Sequence, residues 1–238
     1  MGRIFEKRKD RMFARWAKTA KAFTKVGKEI SIATKLGGPD PATNPRLRMA
    51  IQVARSLNMP KDRIEAAVKR ASSKDEASLQ EVTYEGYGPH GVALFIESAT
   101  NNATRTVANV RGILNHHSGS LGTTGSLDYV FGRRGVFAIG TPPGDFDEFE
   151  LAMIDFGLEE VFEAEQGYLL YCTFASFGAM QKALEEHKVE VKSAGLQRYP
   201  HSCVKVSAAQ EKEIEELIAE LEEDDDVQHV YHNMELKE

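Results

Sequence analysis

The sequence predicts an α+β protein of three domains: a basic three-helix module, and two α/β domains of which the last, βαββαβ in element order, is inserted into the middle one. Three observations carry this prediction. Charge divides the chain: residues 1–78 hold 19 Lys or Arg against 8 Asp or Glu, and residues 79–238 hold 11 against 28. The hydrophobic period changes from helical to alternating near residue 80. The last thirty residues supply one helix and one strand, too little for a domain of their own, while residues 80–132 look like a βαβ unit lacking its second half. The predicted boundaries are therefore 1–78, 79–133 plus 205–238, and 134–204.

Each element follows from local signals. In the first helix Met12, Trp16, Phe23, Val26 and Ile30 form one stripe, with Lys7, Arg11, Arg15, Lys18, Lys21, Lys25 and Lys28 on a neighbouring face. Gly37-Gly38-Pro39 stops it, and Asn44-Pro45 reads as an N-cap with proline at the first helical position. The second helix buries Leu47, Ile51, Ala54 and Leu57 and exposes Arg46, Arg48 and Arg55. After Asn58-Met59-Pro60 the third buries Ile64, Ala67, Val68 and Ala71 and exposes Lys61, Arg63, Lys69 and Arg70.

Strands are expected at 81–85, 92–98 and 126–131, with a helix over 103–117 stopped by Gly119. Residues 135–206 then read as strand 136–139, helix 146–156, strands 159–163 and 168–174, helix 177–187 and strand 197–206. That order is ferredoxin-like. A helix at 208–222 and a strand at 227–231 return to complete the middle domain.

The composition bounds function. No apolar run reaches the roughly 18 residues of a membrane span, and the N-terminus has no apolar signal core, so a cytoplasmic protein without membrane attachment is expected. Cys172 and Cys203 have no CxxC spacing and read as reduced thiols. GSLGTTGS lacks the Lys-Ser/Thr of a phosphate loop and precedes a predicted strand, so it reads as a turn needing positive φ. His116-His117 and His229/His232 invite a metal reading, but adjacent residues do not share a helical face and an odd separation splits strand partners. With no third ligand in view, no metal, cofactor or small-molecule substrate is expected. No nucleophile elbow, triad order or HExxH is present, and an enzyme or metal-binding protein is the remote alternative.

A basic module on an acidic body suits polyanion docking, because neutralised phosphates release counterions. The expected nucleic-acid contacts are Arg11, Arg15, Lys18, Lys21, Lys25, Lys28, Lys35, Arg46, Arg48, Arg55, Lys61, Arg63, Lys69 and Arg70, with Arg105. Arg105 sits in the first turn of a helix capped by Asn102, where a cation opposes the helix dipole. It needs an anionic partner, either a phosphate or a carboxylate of the acidic domain.

The stretches KLGGPDPATNPRLRMAI, NMPKDRIEAAVKRA, YEGYGPHGVALFIE, TNNATRTVANVR, GSLGTTGSLDYVF and LEEDDDVQHVYHNM, in this order, resemble the YebC/PmpR family over nearly the whole chain. The opening MGR-F resembles one subgroup of it, and Asn101 stands where the family often has Asp. The resemblance implies a three-domain α/β, non-catalytic protein: a DNA-binding transcriptional regulator or, as for relatives that include a mitochondrial translational activator, a factor that meets ribosomal or messenger RNA on the ribosome.

Overall fold

The computed structural model describes residues 19–73, 79–164 and 167–236. Met12 and Trp16 of the predicted first stripe lie outside them. Helix α1 (Thr19–Gly37), α2 (Pro45–Ser56) and α3 (Lys61–Ala71) close around Ile30, Ala33, Leu47, Ala50, Ala54, Ile64 and Ala67. The α1–α2 corner explains the GGPDPATNP stretch. Gly38 takes φ +87° and donates to Thr34 O at 2.9 Å, ending α1 in a left-handed cap. Asn44 is buried; its Nδ2 donates to Ala33 O (2.7 Å) and Gly38 O (2.8 Å), and its Oδ1 accepts the Leu47 amide. A Cβ on Gly37 would lie 2.7 Å from that amide, so glycine is required there by close approach.

The middle domain is a four-stranded antiparallel sheet in the order β3-β1-β2-β9, built from β1 (Gln80–Tyr87), β2 (Ala93–Thr100), β3 (Ser120–Leu121) and β9 (Val227–His232). Helices α4 (Ala103–His116) and α7 (Ala208–Glu223) cover one face, where Leu94, Ile96, Val110, Leu114, Ile214, Leu217, Ile218 and Leu221 pack together. On the other face Ala93 and Phe95 meet Leu127, Val130 and Phe131. The apolar run Val92–Ile96 is thus a central strand covered on both sides.

The third domain orders its strands β5-β6-β4-β7, all antiparallel: β4 (Phe131–Ile139), β5 (Leu158–Ala164), β6 (Gly167–Thr173) and β7 (Val191–Pro200). Helices α5 (Phe146–Ile154) and α6 (Phe177–Glu186) bury Phe137, Phe149, Met153, Leu170, Cys172, Met180 and Leu184 against it. This is the ferredoxin-like order, inserted between β3 and β9. Burial pushes the Cys172 thiol up to about 11, with Glu159 adding to it, which makes it an unreactive core group. No described helix is long and apolar enough to cross a membrane.

Three local expectations are corrected. Residues 126–130 form turns instead of a strand. Ser126, Val130 and Phe131 amides bond back to Thr123 and Leu127 carbonyls, and the buried residues Leu127, Val130 and Phe131 follow the 3–4 spacing of a helical turn. Organising this loop is Glu85, buried in β1, whose carboxylate accepts the Gly125 amide (2.7 Å), the Leu127 amide (2.6 Å) and Ser126 Oγ (3.4 Å). GSLGTTGS therefore does cradle an anion, an internal one, with the left-handed residue at Gly125. Second, the predicted strand 197–206 breaks at His201–Cys203: β7 ends at Pro200, and β8 (Val204–Val206) pairs in parallel with β10 (Met234–Leu236). Third, the left-handed residue after α4 is Ser118, not Gly119. A Cβ on Gly119 would stand 2.5 Å from Tyr87 O, so its glycine admits the β1 backbone.

Glu85→Ala leaves two amides without an acceptor in a dry site and is expected to lower unfolding stability by about 2–4 kcal/mol. Ser126→Ala removes only a long contact and is expected to cost less than about 1 kcal/mol. Urea midpoints of the two variants check the ranking.

Candidate nucleic-acid interface and the carboxylate lock beneath it

Lys21, Lys25 and Lys28 fall at i, i+4 and i+7 on α1 and form one row. That row faces the acidic turn joining α7 to β9, and its burial deepens from the half-exposed Lys21 to Lys28. Lys21 Nζ lies 3.6 Å from Glu223 Oε1 and donates to the Glu223 carbonyl at 3.4 Å. Lys25 Nζ donates to Gln228 O at 3.3 Å. Lys28 Nζ has three acceptors, Asp226 Oδ1 (2.8 Å), Asp225 O (2.8 Å) and Ala99 O (2.9 Å), which satisfies all its protons. Lys28 lies off the apolar stripe as the sequence predicts, but the middle domain covers that side: a helical wheel gives a side chain's direction, not what docks there. Burial lowers the Lys25 pKa; Lys21 and Lys28 repel its charge in the same sense, and Glu222 and Asp225 oppose them.

Asp226 is the centre of this contact. Its second oxygen, Oδ2, accepts Arg105 Nη2 (2.6 Å), Thr106 Oγ1 (2.9 Å) and Thr100 Oγ1 (3.1 Å). The side chain is only 8% exposed. Burial alone would raise its pKa, but the bonds from Lys28, Arg105 and Thr106 win and hold it at about 2. This supplies Arg105's anionic partner: an internal carboxylate, assisted by Asn101 Oδ1 at 3.2 Å.

Arg46 is also committed. It binds Glu29 through Nε (2.7 Å) and Nη2 (3.0 Å), and Glu81 through Nη1 at 3.2 Å, linking α1, α2 and β1. Despite the penalty of burial, these two carboxylates raise its pKa. Arg48 reaches Glu185 of α6 at 3.7 Å, with both side chains largely exposed. Gln52 donates to Val191 O, so α2 also touches the edge of the third domain. That domain meets the middle one through Arg198, whose guanidinium lies 3.9 Å above the Phe95 ring and 3.4 Å from Glu97.

The remaining cations lie elsewhere on the helical domain. Arg55, Lys61, Arg63, Lys69 and Arg70 are exposed, and Lys35 is half-exposed at the end of α1. Of these only Lys61 has an ion pair to a described residue, a solvated i,i+4 contact with Glu65 at 3.5 Å. On α3, Arg63 and Arg70 stand seven residues apart on one row, about 10 Å along the axis. Arg11, Arg15 and Lys18 lie outside the described residues.

Two profiles match this chain and together cover nearly all of it: the TACO1/YebC protein N-terminal domain over residues 3–74, and the TACO1/YebC second and third domain over residues 79–234. The chain belongs to the TACO1/YebC family. Similar proteins include a probable transcriptional regulatory protein of Flavobacterium johnsoniae, 50% identical over 98% of this chain and 99% of its own length. Another of the same description from Porphyromonas gingivalis is 50% identical over 100% of this chain and 99% of its own. A crystal structure of a conserved hypothetical protein from Aquifex aeolicus superposes with a TM-score of 0.81 at 36% identity, covering 93% of this chain and 92% of that one.

Sequence reasoning missed Asp226 as a site residue. Its signal was available as the complementarity between the Lys21/Lys25/Lys28 row and LEEDDDVQ. Lys28→Ala removes one of the two cations paired with the buried Asp226, leaving Arg105, and is expected to lower stability by about 2 kcal/mol, and Lys21→Ala by less than about 1 kcal/mol. Because the Asp226 pKa is depressed in the fold, its stabilisation is complete above the unfolded value near 4 and is lost as pH falls towards 2, about 2 kcal/mol in all. In Asp226→Asn, urea midpoints are expected to fall less steeply across that window.

Proposed function

We propose that this TACO1/YebC-family chain is a non-enzymatic, cytoplasmic regulatory protein that docks on nucleic acid through the outer face of its helical domain, acting as a DNA-binding transcriptional regulator. The observation that carries this reading is the division of its cations. Lys25, Lys28 and Arg46 are part-buried against protein oxygens, and Lys21 and Arg105, though about half exposed, are held by Glu223 and Asp226, whereas Arg55, Lys61, Arg63, Lys69 and Arg70 are exposed and, among the described residues, only Lys61 has an ion pair, a solvated one.

A duplex backbone rewards such a surface through counterion release, each phosphate contact adding about 0.9 to the salt slope. The first eighteen residues add seven Lys or Arg against Glu6 and Asp10 to the sequence's basic part. The rest of the molecule, net −17 over residues 79–238, repels phosphate and restricts the docking face to this domain. The names of the relatives, probable transcriptional regulatory proteins, support a regulatory role.

Arg63→Glu/Lys69→Glu/Arg70→Glu is expected to weaken duplex binding by about tenfold or more and to flatten the salt dependence. Lys21→Ala is expected to bind as wild type. Titrations of a promoter duplex, a random duplex and a structured ribosomal RNA fragment over a range of salt check this. A folded triple variant that binds like wild type refutes the docking face. Preference for the RNA over both duplexes replaces the transcriptional reading with the ribosomal one.

A further inference from the structure

His116, His117 and Glu220 converge at the far end of α4. His116 is the last residue of that helix, whereas His117 is its C-cap, with φ −95° and ψ 26°. Leaving the helix frees the second ring from the rule that separates adjacent side chains, which is where the sequence-based exclusion fails. The rings sit edge to face with centroids 5.0 Å apart. Both address one oxygen of Glu220 on α7: His117 Nε2 at 2.6 Å and His116 Nδ1 at 3.6 Å. The second distance exceeds a hydrogen bond, so His116 is aimed at the carboxylate without bonding it.

We propose that these three residues bind a divalent transition-metal ion, Zn²⁺ foremost. The three ligand atoms lie within 4.8 Å of one another. In a tetrahedral site with bonds of about 2.0–2.1 Å, ligand atoms stand about 3.4 Å apart, so small side-chain rotations close this set around an ion. Two imidazoles and one carboxylate select Zn²⁺, Co²⁺, Ni²⁺ or Cu²⁺ over the oxygen-seeking Mg²⁺ and Ca²⁺.

The scaffold is rigid where it needs to be. Leu114, two residues before His116, packs with Leu217 and Leu221 of α7 in the fully buried core, which fixes the distance between the two helices. His116 and Glu220 also line a surface recess that continues to Glu223 and Asp224, leaving a fourth coordination position open to water. A bound ion would tie α4 to α7 about one turn before that helix ends and gives way to the turn that holds Asp226.

The test is a Co²⁺ titration of metal-free full-length protein, read by visible d–d absorption, followed by displacement with Zn²⁺. The expected result is a saturable signal at one ion per chain, lost on adding excess Zn²⁺ and lost in both His116→Ala and Glu220→Gln. Both substitutions are conservative for the fold, His116 being exposed and Gln nearly isosteric with Glu. Thermal unfolding provides a second readout: Zn²⁺ is expected to raise the midpoint of the wild type and not of either variant. Absence of a saturable signal in the wild type, or variants that titrate and shift like it, overturns the proposal.

Discussion

The arrangement of the domains depends on one buried carboxylate. Asp226 gathers a lysine from α1, an arginine and a threonine from α4, and a threonine from the end of β2, so four segments of chain meet at two oxygen atoms. Removing a carboxylate from water costs several kcal/mol, and here that cost is offset only when every partner is in place. Lys28 belongs to the helical domain and the others to the middle one. The charge on Asp226 is therefore well satisfied only while the two domains are docked. The flanking contacts, Lys21 with Glu223 and Arg46 with Glu29 and Glu81, are more exposed and act on orientation more than on energy.

This lock gives the helical domain two distinct cationic surfaces. The row on α1 is neutralised by the α7–β9 turn, and its lysines gain specificity of docking instead of affinity for a ligand. Among the described residues the α3 surface has no such cover, and its Arg63, Lys69 and Arg70 are exposed. The acidic body receives the inner row at its turn, residues 222–226, and under the docking proposed above its net charge disfavours phosphate elsewhere on the molecule. Net charge alone would not distinguish these roles, because a lysine counts the same whether its partner is a buried aspartate or a phosphate.

What the sequence made legible were the features decided within a few residues. The stop at Gly37-Gly38, the Asn44-Pro45 restart and the βαββαβ order all follow from local backbone chemistry and hydrophobic period. The errors share a different cause. Lys28 sits off the apolar stripe, yet a neighbouring domain occupies that side. The segment 126–130 has strand-forming residues, yet Glu85, some forty positions earlier, captures its amides. His117 was placed on a helix that ends one residue before it. Each was decided outside the periodicity that predicted it: by a docked domain for Lys28, by the Glu85 carboxylate for 126–130, and by the left-handed turn at Ser118 for His117.

Lysine acetylation footprinting by mass spectrometry, with and without a bound DNA duplex, tests the division of the cations most directly. Lys28 is expected to be unreactive in both states, and Lys61 and Lys69 to react readily in the free protein and become protected when DNA binds. A Lys28 that reacts in the free protein and is shielded only by DNA, with Lys61 and Lys69 unchanged, would contradict that division.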